Sequence, residues 1–444
     1  MKNMKSLNII LLLSAGLAFS VQAQQKLSLQ EAVALARENN PEIKVSNLEV
    51  ERSRQQKIIS RSLFLPSVNG AAQANHFFQL TPFFGFGSTP GGEGKIPYGR
   101  FGGQDQFNAA LIASQPLFNP LAYPSVKQSG LREKESQLAL QGKQVNTLSL
   151  VKQVYLQVLV LDERIKLQQE SVTRNQRALQ DARSLFIQGK GLRVDTLRAY
   201  TSVKNLEPEL LKLHYEVETG KLRLKALMGV DSLQTIELTD SLFLTSFEPI
   251  PSEEEVYAAA KGSNPDLQVV ALQQQITEQQ VKIANGSRLP VVSAVGLYQV
   301  NSQTRKLDYA NAYYPTSSYV GLQVAVPLFT GFSNQAKVKQ ANIGKEQSAL
   351  KAKDAYEQLR ASVHQVVAGS HESLARLKTT VTVKEAAELS YNIIQYRYKK
   401  GVSSRLELTD AELALSTAQS NYLETVYDYL SARIALERIM GRVQ

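Results

Sequence analysis

The 444-residue chain carries 50 Lys and Arg residues against 40 Asp and Glu residues and has no cysteine. The missing cysteine excludes disulfide bonds, thiolate metal ligands and cysteine nucleophiles. The formal net charge of +10 does not indicate a nucleic-acid partner, because bases and acids are interleaved, as in Arg132-Glu133-Lys134-Glu135, and no nucleic-acid-reading motif accompanies them.

The first 23 residues have the pattern of a secretory signal peptide. Lys2 and Lys5 precede an apolar run that continues to Phe19, and Val21-Gln22-Ala23 supplies small residues at the usual cleavage positions. This run is too short for a spanning helix, and no later stretch reaches the ~18 consecutive apolar residues that such a helix needs. We therefore expect an exported protein that starts at Gln24 and enters a membrane only through strands.

The rest of the sequence is a duplication, because the same short motifs occur in the same order in both halves. The matching pairs are Asn40-Pro41 and Asn264-Pro265, Leu65-Pro66 and Leu289-Pro290, Pro116-Leu117-Phe118 and Pro327-Leu328-Phe329, Gly189 and Gly401, and Met228-Gly229 and Met440-Gly441. This order predicts two structural repeats, 24–230 and 252–444, joined by a linker at 231–251.

Each half predicts the same series of elements. A helical segment, at about 28–62 and again at about 252–286, ends at Leu-Pro. Two strands around a loop follow, and then a very long helix, a glycine turn and a final helix that ends at Met-Gly. The predicted strands lie at about 64–79, 105–118, 288–301 and 317–329.

The long helices have the heptad periodicity of a coiled coil. The seam residues are Val151, Val158, Ile165, Val172, Leu179 and Phe186, with Val154 and Leu161 between them, and in the last helix Leu406, Leu413, Tyr427 and Ile434, with Leu423 and Leu430 on a companion track. A helix over about 126–188 would be roughly 95 Å long, which a compact domain cannot enclose. Periodicity alone would also fit a coiled-coil spacer.

The strand segments argue against a plain spacer. Apolar and more polar residues alternate up to each Pro-Leu-Phe, as in Phe107, Ala109, Leu111 and Ala113, and as in Val320, Leu322, Val324 and Val326. Alternation over ~9–11 residues is typical of a membrane strand with one apolar face. Aromatic residues in the adjacent loops indicate an interfacial girdle; they include Phe83, Phe84, Phe86, Tyr309, Tyr313 and Tyr314.

Four strands cannot close a barrel, and an open edge in lipid leaves backbone groups unpaired at several kcal/mol each. We therefore expect the chain to oligomerise through its strands. Three copies would supply twelve strands around a lumen, whereas the interior of an eight-stranded barrel is nearly filled by side chains.

The segment 396–412, YRYKKGVSSRLELTDAE, resembles the turn into the last helix of the TolC family of outer-membrane efflux proteins. The resemblance covers nearly the whole mature chain. It implies a mainly α fold with a small transmembrane β part, in which a homotrimer forms a twelve-stranded barrel in a Gram-negative outer membrane and a coiled-coil tunnel in the periplasm. It also implies a passive exit duct for efflux or type I export, driven by an inner-membrane pump that docks through a periplasmic adaptor.

The same resemblance implies residues for the periplasmic entrance. Glu407 and Asp410 would line the mouth as acidic rings that favour cations. Ser404 and Glu407 also form a capping-box pattern, which leaves a helix-capping role open for Glu407. Asp195 and Tyr398 would hold the inner hairpin closed. Ser403 replaces the arginine that accompanies them in the family, and Arg405 stands two residues further on, so we expect a weaker or rearranged closing network.

No motif predicts catalysis, a metal or a cofactor. Of the four histidines, His76, His214, His364 and His371, the last two are one heptad apart and could share a helix face, but no acid pair at metal-ligand spacing accompanies them. The sequence has neither a G-x-S-x-G elbow nor an H-E-x-x-H motif. A secreted hydrolase is therefore disfavoured. A periplasmic adaptor is the remaining alternative, but adaptors have one hairpin within β-rich domains, whereas this chain has two matching halves. The cargo is not indicated by any motif.

Overall fold

The computed structural model describes residues 25–85, 96–242, 247, 249–305 and 310–442. The predicted signal peptide lies outside these residues, as do Phe86 and Tyr309 of the predicted girdle. The helices are α1 (Leu29–Asn39), α2 (Pro41–Arg61), α3 (Ala122–Ile187), α4 (Arg193–Met228), α5 (Glu253–Ser263), α6 (Pro265–Gly286), α7 (Ser333–Lys399) and α8 (Arg405–Ile439). The strands are β1 (Gln25–Leu27), β2 (Ser67–His76), β3 (Pro82–Phe84), β4 (Tyr98–Arg100), β5 (Asp105–Phe118), β6 (Ile236–Leu238), β7 (Val291–Thr304) and β8 (Thr316–Ala325).

The two halves follow the same plan of two short helices, two longer strands, a very long helix and a returning helix. α3 has 66 residues and α7 has 67. Both run so far because proline, which breaks a helix interior, is missing from α7 and occurs in α3 only in the first turn, at Pro124. In both halves the turn after the long helix contains a glycine with positive φ, 72° at Gly189 and 73° at Gly401.

The chain divides into two compact units. The helical unit comprises the described residues of Met1–Leu48, Leu138–Gln268 and Ala355–Gln444, and the strand unit comprises Glu49–Gln137 and Val269–Asp354. No helix of the described chain is long and apolar enough to cross a membrane.

One core of the helical unit packs α1, α3 and α4 around a short parallel ladder of β1 and β6. Tyr155 of α3 is fully buried, and its hydroxyl lies 2.9 Å from both the Leu27 carbonyl oxygen and a carboxylate oxygen of Asp240. The same Asp240 oxygen accepts a hydrogen bond from the Leu29 amide at 2.8 Å. The segment 231–251, which was expected to be a linker, thus contributes β6 and a hydrogen-bond acceptor for the buried Tyr155.

The repeated Asn-Pro and Met-Gly motifs meet in space. Asn40 caps α2 by accepting from the amides of Glu42 and Ile43, and its side-chain amide donates to the carbonyl of Leu227 at the end of α4, at 2.6 Å. Asn264 does the same in the second half, where it caps α6 and donates to the carbonyl of Ile439 at 3.1 Å. Each repeat therefore joins its second helix to the end of its last helix through one asparagine.

The glycines of the Met-Gly pairs make this junction possible. A Cβ atom on Gly229 would lie 2.4 Å from the Asn39 carbonyl oxygen, and one on Gly441 would lie 2.6 Å from that of Ser263. Both glycines have a φ of 67°, a left-handed conformation that is unfavourable for other residues. The same close backbone contact thus occurs once in each repeat, at the duplicated motifs.

The predicted seam of α3 is mostly buried from Val151, at 0% exposure, to Leu179, at 9%, but its last predicted residue, Phe186, is 45% exposed. The seam predicted for α8 is wrong at its start, because Leu406 and Leu413 are 61% and 67% exposed. The first turns of α8 instead pack on α7 through a different stripe, composed of Leu408, Ala411 and Leu415. These three residues, and not Leu406 and Leu413, lie on the side of α8 that contacts α7.

The strand unit contains an antiparallel sheet with the strand order β2-β5-β7-β8. β5 and β7 have 14 residues each, and the outer strands β2 and β8 have 10 each. β8 ends at Ala325, before the predicted end, since Pro327 has no amide to continue the ladder. β5 continues through Pro116 with an irregularity before Phe118. The loop between β2 and β5 also forms a small hairpin of β3 and β4, which was not predicted.

Candidate functional site: the strand sheet and the hairpin turns

The register of the sheet places apolar residues on one face. Val68 pairs with Ala113, Ala113 with Gly296, and Gly296 with Val320, so these positions share a face across all four strands. The larger apolar residues of this face are Val68, Phe107, Leu111, Val292, Tyr298, Val300, Val320, Leu322 and Val324. Leu322 and Val320 are 73% and 88% exposed in the protomer. A surface of this kind requires an apolar partner or lipid.

The opposite face of the sheet is uncharged and carries most of the amide and hydroxyl side chains, although Ile112, Val295 and Leu297 also lie on it. Its amide and hydroxyl residues are Ser67, Asn69, Gln73, Asn75, Gln106, Asn108, Ser114, Ser293, Gln299, Asn301, Gln303, Ser317 and Gln323. Asn108 donates a hydrogen bond to Asn301 across the β5–β7 pair. Asp105 and His76 form an acid–base pair across β2 and β5, and both lie on the apolar face.

Asp105 and His76 terminate the apolar face at the end where β2 finishes and β5 starts. His76 Nδ1 lies 2.6 Å from Asp105 Oδ1, and Asp105 is only 1% exposed. Aromatic rings gather at this end of the sheet: Phe78 contacts the His76 ring, and Tyr314 contacts Phe107. A band of aromatic residues beside apolar strands is the pattern of a membrane interface.

The two hairpin turns of the helical unit have the same backbone geometry. The Lys190 amide donates to the Leu185 carbonyl at 2.9 Å, and the Val402 amide donates to the Arg397 carbonyl at 2.9 Å. Their caps differ. Leu192 offers α4 no side-chain cap, whereas the Ser404 hydroxyl caps α8 by accepting from the Glu407 amide.

The predicted capping box at Ser404 and Glu407 forms only by half. The Glu407 amide lies 3.2 Å from Ser404 Oγ, but the reciprocal bond from the Ser404 amide to the Glu407 carboxylate is missing. Complete boxes do form at Ser28 and Glu31 and at Ser252 and Glu255. The carboxylate of Glu407 is exposed and keeps its hydration, so the serine alone caps this helix.

The acidic residues of α8 separate into paired and unpaired groups. Glu412 lies 4.0 Å from Arg405, Glu424 lies 3.6 Å from Arg164, and Asp428 lies 2.6 Å from Arg376. In the part of the chain that the structure describes, the carboxylates of Glu407 and Asp410 are exposed and have no ion pair. These two acids are therefore free to face solvent or a neighbouring molecule.

The structure brings Asp195, Tyr398 and Arg405 to the same end of the helical unit without joining all three. Arg405 lines a cavity of about 410 Å³ together with Asp195 and Thr409. Its guanidinium also lies 5.9 Å from the centre of the Tyr398 ring. Among the described residues, no hydrogen bond connects Asp195 with Tyr398 within one protomer. Arg405 is the side chain that approaches both.

Sequence reasoning missed a buried charged cluster beside this turn. Glu412 is 8% exposed and lies in a cavity of about 690 Å³ that is also lined by Arg174, Tyr391 and Arg405. Burial raises the pKa of Glu412 above its ordinary value of 4.5, against the opposing effect of Arg405 and Arg174. Burial also raises the pKa of Tyr391, and the charge of Glu412 adds to that rise. Glu412 falls on the buried 408, 411, 415 stripe of α8, and the sequence periodicity did not indicate that this stripe is the buried one.

The described residues contain no group of three or more His, Asp or Glu side chains that could hold a metal ion. His364 instead lies 3.0 Å from Glu253. The candidate functional site consists of the four-stranded sheet, with its two different faces, and the two hairpin turns of the helical unit.

The family model described as outer membrane efflux protein matches residues 32–230 and 256–442, one stretch in each half of the chain. The chain belongs to the outer membrane efflux protein family. This confirms the expected resemblance to TolC proteins. Members of this family are transport conduits, and the chain is an outer-membrane exit duct of an efflux or secretion system. The adaptor alternative is thereby set aside, because the match extends over both repeats.

Individual relatives agree over nearly the full length. The alkaline protease secretion protein AprF of Pseudomonas aeruginosa is 24% identical, over 94% of this chain and 84% of its own length. The outer membrane efflux protein BepC of Brucella suis biovar 1 is 22% identical, over 100% of this chain and 91% of its own. The crystal structure of VceC from Vibrio cholerae superposes with a TM-score of 0.76 at 17% identity, over 93% and 96% of the two chains. The mainly α, two-repeat fold with its small β part is thus confirmed.

Proposed function

We propose that three copies of this chain join through β2 and β8 into one twelve-stranded barrel, with the apolar sheet face toward lipid and the uncharged polar face toward the lumen. The observation that carries this proposal is the sheet itself: four strands with two chemically distinct faces, of which β2 and β8 are the outer members. An outer strand in lipid must find a pairing partner, because its free amides and carbonyls are otherwise unsatisfied. A second and third copy of the same chain supply these partners by symmetry.

The two repeats extend over 24–230 and 252–444 and are joined by a linker at 231–251. Their helical parts form the periplasmic tunnel. A periplasmic adaptor docks this tunnel to an inner-membrane pump. The duct itself is passive, since no phosphate-binding motif accompanies the fold. The names of the relatives support a conduit whose cargo is chosen elsewhere, because AprF is named for protease secretion and BepC for efflux.

The entrance of the duct lies at the hairpin turns. Glu407 and Asp410 of the three chains form acidic rings there, supported by their exposure and their lack of ion-pair partners in the described protomer. Rings of carboxylates concentrate cations in a narrow pore. Asp195, Tyr398 and Arg405 supply closing contacts, and the position of Arg405 between the other two supports this assignment.

The assembly is tested by disulfide trapping, for which the cysteine-free chain is well suited. Ala72→Cys in β2 is combined in turn with Ser318→Cys, Val320→Cys and Leu322→Cys in β8, all on the apolar face. We expect one of these pairs to give a covalent trimer on a non-reducing gel. The matched control, Ala72→Cys with Tyr319→Cys, places the two thiols on opposite faces and should not cross-link. Monomeric protein in detergent with every pair would refute the barrel.

The entrance is tested by single-channel recording in planar bilayers. We expect a small, cation-preferring conductance that increases with Asp195→Ala or Tyr398→Phe and loses cation preference with Glu407→Gln combined with Asp410→Asn. Glu424→Gln, on the same helix but paired with Arg164, is the matched control. Unchanged selectivity in the double variant would refute the acidic rings and leave the barrel untouched.

A further inference from the structure

The cluster around Glu412 contains three buried polar atoms that have no hydrogen-bond partner among the described protein groups. Other atoms of this kind occur in the helical unit, for example Arg164 Nε and the Tyr429 hydroxyl, but the one on Glu412 belongs to a carboxylate. One carboxylate oxygen of Glu412, Oε2, is fully buried and has no hydrogen-bond partner among the described protein groups. The same is true of the Ser403 hydroxyl and of Nε of Arg174. The nearby contact between α3 and α4, which includes Leu179 and Val203, is by contrast apolar.

The positive charges near Glu412 do not fully compensate it. The nearest guanidinium nitrogen, that of Arg405, is 4.0 Å away, which is too long for a hydrogen bond. Arg405 also faces the Tyr398 ring, and Arg174 faces the Tyr391 ring at 6.0 Å while it contacts Glu170. Both arginines therefore divide their charge between Glu412 and other groups.

Every helix that packs at this cavity contributes ionisable groups. They are Arg174, Arg177 and Asp181 of α3, Tyr391, Tyr398 and Lys399 of α7, and Arg405 of α8, with Asp195 and Arg198 of α4 on the far side of Arg405. Of the carboxylates, Glu412 is buried whereas Asp181 is exposed. Burial of a carboxylate disfavours its charged form, so Glu412 is the acid whose ionisation opposes close packing here.

We propose that ionised Glu412 weakens the packing of the first turns of α8 against α3 and α7, and that protonation of this carboxyl tightens the packing and narrows the entrance. The inference rests on the proposed gate at the hairpin turns. The Glu412 carboxyl binds a proton more tightly when α8 is closely packed than when α8 is loosened and the carboxyl is hydrated. Protonation therefore shifts the equilibrium toward the closely packed state. Each unit of pKa difference between the two states changes their ratio tenfold.

The test uses the reconstituted trimer with Glu407→Gln and Asp410→Asn in place, which removes the titration of the acidic rings. We expect single-channel conductance to fall at least about twofold as the pH is lowered from about 7.5 to about 4.5. Adding Glu412→Gln should give the low conductance at all pH values, whereas Glu412→Asp should keep the pH response. Glu385→Gln, an exposed acid of α7, is the matched control and should behave like its parent.

Three outcomes would overturn the inference. They are a conductance of the ring-neutralised trimer that does not depend on pH, a pH response that persists after Glu412→Gln, and a conductance at pH 7.5 that is raised by this substitution. Hydrogen exchange provides a second measurement: amides of 405–412 should exchange more slowly in Glu412→Gln than in the wild-type chain at the same pH. Selectivity of the double variant reports on the rings separately, so failure of either proposal can be distinguished.

Discussion

Replacement of Asn40 by alanine tests the junction that is built twice in this chain. Asn40 is 3% exposed, and its side chain makes three hydrogen bonds, two as the cap of α2 and one to the Leu227 carbonyl. Loss of an N-cap costs about 1 kcal/mol. Leaving the partly buried Leu227 carbonyl without its donor costs about 1–3 kcal/mol. We therefore expect Asn40→Ala to destabilise the junction by about 2–4 kcal/mol.

Two further variants separate these contributions. Asn40→Asp keeps the acceptor that caps α2 and loses only the donor to Leu227, so its cost should be about 1–3 kcal/mol. Asn264→Ala removes the equivalent group from the second repeat, where the side chain is only partly buried and the bond to Ile439 is 3.1 Å long. Water can replace part of that bond, and the cost should therefore be smaller than at Asn40.

Native-state hydrogen exchange is the suitable assay, because it reports local opening free energies without requiring reversible unfolding of a membrane trimer. The amide of Lys44 is a suitable reporter, because its acceptor is the backbone carbonyl of residue 40, which alanine retains. A loss below about 0.5 kcal/mol in Asn40→Ala would refute the reasoning, since it lies within the range of ordinary surface substitutions. An equal or larger loss in Asn264→Ala would show that burial does not determine the cost.

Other predictions concern a glycine and a titrating ion pair. Gly441→Ala should lower the thermal midpoint more than Gly401→Ala. Both positions have positive φ, which costs a non-glycine residue about 1–2 kcal/mol, but only the methyl group at 441 would meet a backbone oxygen, that of Ser263 at 2.6 Å. Equal shifts of the thermal midpoint would contradict this. Glu133 has a lowered pKa, mainly because Lys57 donates to it at 2.7 Å, so its contribution to stability is present above pH 4.5 and is lost as the pH falls through the lower folded value. Lys57→Met should therefore flatten the acid side of a plot of thermal midpoint against pH, and an unchanged slope would exclude the pair as its source.

The sequence allowed the repeat and the strands to be predicted because both depend on local pattern. Period-2 alternation around Leu111 and Leu322 determines which face each residue takes, and the register places these residues on one apolar face. The repeated asparagine and glycine motifs were recognisable as matches, but their meeting in space was not, because it depends on helices far apart in the chain.

The missed features have no local signature or depend on packing partners. β1 and β6 have three residues each, too few for a period to appear, and they pair over more than two hundred residues. The exposure of Leu406 and Leu413 depends on which stripe of α8 meets α7, and a heptad count cannot choose between adjacent stripes. The importance of Glu412 follows from the same choice, because the stripe that is buried includes its carboxylate.

The uncharged polar face of β2, β5, β7 and β8 determines what a solute would meet inside the proposed barrel. Amide and hydroxyl groups exchange hydrogen bonds with water and with either sign of ion at nearly equal cost, whereas fixed charges would hold one sign and repel the other. Such a face has no fixed charge that would retain a charged cargo. Transit through the membrane would accordingly resemble diffusion along a wetted surface, and discrimination would be left to the helical turns where ionised groups are concentrated.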